Sequence, residues 1–241
     1  MSSEGFLYYV SFIDVHSRFT WLYLLKKKSD VFQCFIDFYK MVEVQFGCRI
    51  KALQTDGGGE YVALVAWLQR NGILHRLSCP HTSEQNGTAE RKHRHIVEMG
   101  LTLLAQAGLP LHLWSHAFIT SVYLINRLPT PVLNNCSLYE VLYSQKPSYE
   151  NLRVFGCACY PLTRPYNRHK LDFRTKCCVF VGYSTKHKGY KCLDDDGQIF
   201  ISRHVIFDEN FFPRFGKLGS TPGGGVDSTS LPSQIDKSSL K

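Results

Sequence analysis

Thr55-Asp56-Gly57-Gly58-Gly59-Glu60-Tyr61 and, after a short amphipathic segment and a turn-rich loop, Gln85-Asn86-Gly87-Thr88-Ala89-Glu90-Arg91-Lys92-His93-Arg94 organise this chain. The first stretch puts a carboxylate directly after the strand-like run Arg49 to Thr55 and ahead of three glycines. The second opens a helix with Glu90 and follows it with five residues that are all basic or histidine. Taken singly, each carboxylate has a plain reading. Asp56 suits a turn before glycines. Glu90 complements a helix N-terminus, with Arg94 four residues on as an ion-pair partner. The combination says more. Divalent metals such as Mg²⁺ prefer hard carboxylate oxygens, and phosphodiester chemistry commonly uses two such ions about 3.5–4 Å apart. Arg91, Lys92 and Arg94 beside those carboxylates are the residues for phosphate contacts, which are sequence-independent and salt-sensitive.

Working outward, Leu7 to Ile13 and Phe19 to Leu25 are aromatic and β-branched runs around the polar turn Asp14-Val15-His16-Ser17-Arg18, which predicts a β-hairpin. Lys26-Lys27-Lys28 follows as a solvated strand end that adds to a cationic surface. Ser29 and Asp30 open a helix whose Phe32, Phe35, Phe38, Tyr39 and Val42 recur at helical spacing, with Phe46-Gly47 ending it. A strand ending at Asp56, a helix from Val62 to Asn71 and a strand from Ile73 to Ser78 come next. A helix opened by Thr88 runs to about Ala107, and after Gly108-Leu109-Pro110 a second apolar helix spans Leu113 to Arg127. A hairpin followed by alternating strands and helices predicts an α/β domain whose later strands are parallel, with sites at the carboxyl ends of strands. Glu60, four residues past Asp56, is the weaker ligand candidate. Gln85-Asn86-Gly87 predicts a loop able to close over a substrate.

The character changes beyond Pro147. Short β-like runs between Leu152 and Asp208 predict a small all-β barrel, with Asp194-Asp195-Asp196-Gly197 as a hairpin turn rather than a metal cluster. From Gly216 the chain turns to Gly, Ser, Thr and Pro, a composition that predicts disorder. The expected divisions are therefore 1–149, 150–212 and a disordered tail over 213–241.

Apolar residues make up 44% of the 241, so a packed core is expected. The 28 Lys and Arg against 20 Asp and Glu give a formal charge of +8, which points to a polyanionic partner. Nine cysteines without a secretory leader point to a reducing compartment and free thiols. Their pattern offers Cys157-Ala158-Cys159 and Cys177-Cys178 but no C-x-x-C pair, so core cysteines are expected over a zinc site with Cys192 or His187. No phosphate-binding loop, dinucleotide fingerprint, zincin helix or nucleophile elbow is present.

The two opening stretches, with Phe12-Ile13-Asp14-Val15-His16-Ser17-Arg18 and Ile73 to Thr82, closely resemble the integrase core of copia-type long-terminal-repeat retrotransposons of the plant kind. Arg153 to Cys157, Val179 to Tyr183 and Ser202 to Asp208 resemble the Src-homology-3-type barrel that follows that core. The resemblance covers roughly Leu7 to Phe212. It implies a ribonuclease-H-like fold and a D,D,E metal triad that performs 3′-end processing and strand transfer with Mg²⁺ or Mn²⁺. Asp56 matches the second Asp and Glu90 the Glu, as catalytic and metal-holding residues. Arg91, Lys92, Arg94 and Asn86 are the DNA-contacting residues on this view. The implied partners are element ends and target DNA, in a homo-oligomer, with no membrane and with nuclear work after cytoplasmic synthesis. The family's first Asp lies on a strand ahead of the one holding Tyr8 to Ile13. Without that strand the triad is incomplete, activity is impaired and a sheet edge is exposed. Asp14 is expected to brace its turn through Ser17 and Arg18 rather than to replace that Asp. The alternative is a catalytically dead nucleic-acid-binding remnant of the polyprotein; a zinc-binding interaction module is the third reading.

Overall fold

The computed structural model describes residues 1–56, 58–78, 86–162 and 173–213. Gly57, residues 79–85 and the expected tail, apart from Pro213, lie outside the described residues. The hairpin forms as expected. Strand β1 (Tyr8–Ile13) pairs antiparallel with β2 (Thr20–Leu25), Tyr8 opposite Leu25 and Ile13 opposite Thr20. The Asp14 carboxylate closes the turn, accepting the Ser17 N–H and the Ser17 hydroxyl at 2.7 Å each. Helix α1 (Val31–Phe46) buries Phe35, Phe38 and Tyr39 at i, i+3 and i+4 against the hairpin. It stops at Gly47, where a left-handed φ of 63° returns the N–H to the Glu43 carbonyl.

Strand β3 (Ala52–Thr55) and strand β4 (Leu74–Leu77) are joined through α2 (Val62–Arg70) and pair in parallel, Thr55 opposite Leu77. This crossover is what the alternating pattern predicts. Among the described residues the core carries two two-stranded sheets, β1–β2 and β3–β4, with no strand pairing between them. Helix α1 and the inward side chains of α2, Leu64 and Leu68, bridge them in one apolar cluster with Val10, Phe12 and Ile73.

Helix α3 runs Gly87–Ala107 and helix α4 runs Trp114–Ile125. They cross in close contact because Gly100 lacks a side chain. A Cβ there would overlap the Phe118 ring. Helix α4 also ties back to the hairpin: the Asn126 side-chain amide accepts the Thr20 N–H at 3.0 Å and donates to the Thr20 carbonyl at 2.8 Å, as a strand neighbour would. A short helix, α5 (Leu138–Tyr143), follows, capped by the Ser137 hydroxyl.

The second unit is a five-stranded antiparallel sheet of β5 (Ala158–Pro161), β6 (Cys178–Tyr183), β7 (Tyr190–Leu193), β8 (Ile199–Ser202) and β9 (Val205–Asp208), in the order β8-β7-β6-β5-β9. Cys157, Cys159, Cys178 and Cys192 are buried around Phe180, the core role expected of them. Asp194 serves its turn, accepting the N–H groups of Asp196 and Gln198. The three neighbouring aspartates converge on the Lys176 ammonium, whose pKa is raised first by Asp195. The sheet packs on the core through Gly156, at φ 86°, where a Cβ would collide with Ala107.

Next to that seam, His116 is fully buried and neither ring nitrogen has a hydrogen-bond partner among the described residues. Its nearest carboxylate oxygen, on Glu4, is 3.6 Å away. Burial pulls the imidazole down to about 4; Glu4 opposes this and Lys191 reinforces it.

Two outcomes follow from this packing. Gly100→Ala should lower stability by about 1–3 kcal/mol in urea unfolding, because overpacking against Phe118 outweighs the gain in helix propensity of about 1 kcal/mol. Acid should weaken the fold through His116. Between its unfolded value near 6.5 and about 4, only the unfolded state binds the proton, so stability falls as pH drops through that window. The loss between pH 7 and 4.5 should shrink by roughly 1–3 kcal/mol in His116→Leu.

Candidate nucleic-acid and metal site

Asp56 stands at the carboxyl end of β3, exposed, with its Oδ1 accepting the Gly58 N–H at 3.2 Å. Glu90 lies exposed in the first turn of α3, where a carboxylate complements the helix N-terminus. Because α3 follows β4 and β4 runs parallel to β3, the start of α3 comes back beside the end of β3. Asp56 and Glu90 accordingly open onto one cavity of about 720 Å³, with Asn86, Lys28, Glu60, His93 and Arg94 also on its wall. The sequence pair is brought together.

The basic run after Glu90 is divided by helical geometry. Successive residues turn about 100°, so positions 90, 93, 94, 97 and 98 share a face. That face lines the cavity. Arg91 lies off it, exposed, with its guanidinium beside Gly87. Lys92 is half-buried; burial lowers its pKa first and the nearby Arg18 lowers it further. Of the three expected cations, Arg94 alone is a cavity residue, while Lys28, from the lysine run before α1, joins it there. No ion pair links Glu90 to Arg94 among the described residues, so of the plain reading of Glu90 the helix N-terminus placement holds and the Arg94 partner does not.

Two contributions were missed in the sequence. His93 stacks on Tyr9, centroids 5.4 Å apart, and its Nδ1 bonds the Tyr9 hydroxyl. Burial pushes the Tyr9 phenol up to about 12, so it stays protonated. Glu60, judged the weaker candidate, and Glu98 are also on the wall. Reading the i+3, i+4, i+7 and i+8 positions from Glu90 would have found His93, Arg94, Val97 and Glu98.

Asp14 points elsewhere. It lines a second cavity with Arg18 and Lys51 and is held in its turn by Ser17, as expected. The oxygen donors of Asp56 and Glu90 suit a hard divalent cation. Among the described residues, no third His, Cys, Asp or Glu joins them at ligand spacing. The donor chemistry fits and the ligand set is partial.

Residues 1–83 match the model for the integrase core domain, and residues 157–219 match the retroviral polymerase SH3-like domain. The chain belongs to the integrase-core family, with the SH3-like domain downstream. Its relatives are retrovirus-related Pol polyproteins of copia-type transposons. It is 54% identical over 214 residues to the polyprotein of transposon RE2 and 52% identical to that of RE1, both from Arabidopsis thaliana, covering 88% of this chain in each case. The polyprotein of transposon TNT 1-94 from Nicotiana tabacum is 38% identical over 87% of the chain. The chain spans about 15% of the length of these first two relatives. Among solved structures, the HTLV-2 integrase catalytic core domain in complex with magnesium (trimeric form) is 15% identical with a TM-score of 0.42, covering 54% of this chain and 81% of that one. The simian T-cell lymphotropic virus intasome in complex with PP2A regulatory subunit B56 gamma is 14% identical with a TM-score of 0.47, covering 80% and 69%.

Mn²⁺ binding followed by water-proton relaxation should separate the carboxylates. Asp56→Asn and Glu90→Gln should each weaken it. Asp14→Ala should leave it unchanged while costing about 1–2 kcal/mol of stability, because two hydrogen bonds that close the turn disappear.

Proposed function

We propose that this chain is the DNA-handling core of a retrotransposon integrase, serving polynucleotidyl transfer: 3′-end processing and strand transfer. The observation that carries the reading is the shared cavity. Asp56 and Glu90 reach it from separate elements, and Lys28 and Arg94 supply cations on the same wall. Asp56 and Glu90 would hold Mg²⁺ or Mn²⁺, which when bound polarises phosphate oxygens and lowers the pKa of water. The chain's own residues bind and orient the substrate. Arg94 and Lys28 neutralise phosphates at the cavity, Arg91 and Lys92 extend the binding surface along the flanking backbone, and Asn86 offers an amide at the helix entrance. The Tyr9 hydroxyl fixes the His93 ring over the cavity. Element ends and target DNA are the partners, a homo-oligomer the working form and the nucleus the place of work.

The second reading, a nucleic-acid-binding remnant, is favoured by the partial ligand set of Asp56 and Glu90. Both readings predict salt-dependent DNA binding. Changing Arg91, Lys92 and Arg94 together to Ala should flatten the log–log salt slope by about 0.9 for each phosphate that is no longer neutralised. Strand-transfer assays of the 241-residue protein with Mg²⁺ or Mn²⁺ then separate them. Weak transfer that disappears in Asp56→Asn supports the integrase reading, and none at all supports the remnant. Vigorous transfer that Asp14→Ala abolishes would overturn the site assignment.

A further inference from the structure

We propose that His93 donates a hydrogen bond to a phosphate oxygen in the Asp56–Glu90 cavity, and that Tyr9 is the positioning residue that makes it a donor. The Tyr9 hydroxyl donates to His93 Nδ1, the ring proton sits on Nε2, and Nε2–H is the group free for a ligand. The inference rests on the reading that a nucleic-acid backbone enters this cavity, and it adds a contact of a different kind to the cations already placed there. The pair stands where such a contact is needed. His93 and Tyr9 line the cavity together with Lys28 and Arg94. His93 is exposed there, three residues after Glu90 on the same face of α3.

The direction of the hydrogen bond follows from the two partners. A phenol is the stronger donor of the pair, and a bare imidazole nitrogen is the stronger acceptor. Among the described residues the Tyr9 hydroxyl has no hydrogen-bond partner besides His93 Nδ1, so its proton has one acceptor there. Burial, which pushes the phenol up to about 12, keeps that proton on the oxygen. Tyr9 is itself held in place. Its backbone lies opposite Leu24 in the hairpin, its ring meets Phe118 edge-on at 5.7 Å, and Trp114 tilts against it at 6.4 Å. The His93 ring lies nearly parallel to the phenol, with 14° between the planes. A flip of the imidazole would put a ring carbon where Nδ1 is bonded, so the bond to Tyr9 fixes the ring's orientation as well as its tautomer.

Glu90 and His93 stand at i and i+3, a spacing that helical carboxylate–histidine metal sites use. The tautomer argues against that role. A metal takes an imidazole nitrogen whose lone pair is free. Here Tyr9 engages the Nδ1 lone pair, and Nε2 carries the proton. No carboxylate pairs with His93 among the described residues, so Nε2–H is not taken up by Glu90 or Glu98. Its acceptor is therefore a ligand atom. Lys28 and Arg94 on the same wall favour an anion, and the N–H adds direction to their charge. The contacts differ in one measurable way. Each cation neutralises a phosphate and releases a counterion, whereas the N–H of a neutral imidazole does not. Affinity gained through His93 is accordingly insensitive to salt.

The test uses the full 241-residue protein and a short random-sequence DNA duplex at about pH 8.5, where an imidazole is neutral. Nitrogen NMR of the imidazole should show His93 as one tautomer, with the proton on Nε2. Tyr9→Phe, which keeps the stack and the Phe118 contact, should turn it into a mixture. His93→Phe should weaken duplex binding about tenfold and Tyr9→Phe about threefold, both with an unchanged salt slope. Adding Tyr9→Phe to His93→Phe should weaken binding no further, because Tyr9 acts only through the ring it orients. Lys28→Ala with Arg94→Ala should by contrast flatten the slope. Mn²⁺ binding should be the same in His93→Phe as in the unaltered protein. A proton on Nδ1, additive losses in the double variant, or weaker Mn²⁺ binding in His93→Phe would overturn the proposal, the last by making His93 a metal ligand. If Tyr9→Phe fails to fold, the spectrum of the unaltered protein still decides the tautomer, and His93→Phe still decides the contact. A flattened slope in the cation variant with full binding by His93→Phe sinks this inference alone. An unflattened slope means that no backbone enters the cavity, and the nucleic-acid reading of the site falls with it.

Discussion

The close approach of α3 to α4 at Gly100 is the constraint on which the rest depends. It is possible only because Gly100 has no side chain, which leaves the Phe118 ring the space one would need. Helix α3 has two jobs along its length. Its first turns carry Glu90, His93 and Arg94 to the cavity. From its middle to its last turn it buries Ile96, Leu104 and Ala107 with α4 and the second sheet. Fixing the far end of a long, stiff helix fixes the near end, so the position of Glu90 relative to Asp56 is set about ten residues along α3 from Glu90. Helix α4 passes the restraint on in two directions, to the hairpin through the Asn126–Thr20 amide pair and to the five-stranded sheet through Thr120 and Gly182.

The electrostatics of the site follow from that placement. A run of like charges on one helix face would repel, yet the 100° step distributes these cations over different surroundings. Arg94 faces the carboxylates of the cavity. Arg91 faces solvent. Lys92 is half-buried, and burial first and Arg18 second disfavour its ammonium form.

Much of this was legible because it is local. The hairpin, the helical spacing of Phe35, Phe38 and Tyr39, the glycine stops after Phe46 and Ala107, and the strand ending at Asp56 are all written within a few neighbouring residues. The parallel pairing of β3 with β4 followed from the strand–helix–strand alternation. What was not legible is non-local or depends on direction. No local pattern states that β1 and β3 face each other across a gap, or that neither His116 ring nitrogen finds a hydrogen-bond partner among the described residues where two units meet. The stack of Tyr9 on His93 joins residues 84 positions apart. The dispersal of Arg91, Lys92 and Arg94 was available from helical periodicity, but a dense basic run reads as one feature until it is wrapped on a cylinder.

The gap and the candidate site are physically one system. Val10, Ser11, Gln54, Thr55, Tyr61, Asn86 and Ala89 line both cavities. Asp56 is carried by a two-stranded sheet whose other edge borders the gap, and Glu90 by a helix whose first residues border it too. Two-stranded pieces are marginal on their own, so the precision with which β3 presents Asp56 rests on side-chain packing under α1 and α2 and not on a continuous hydrogen-bonded sheet. The order of the site and the packing around the gap are therefore coupled through shared backbone, whichever of them is perturbed first.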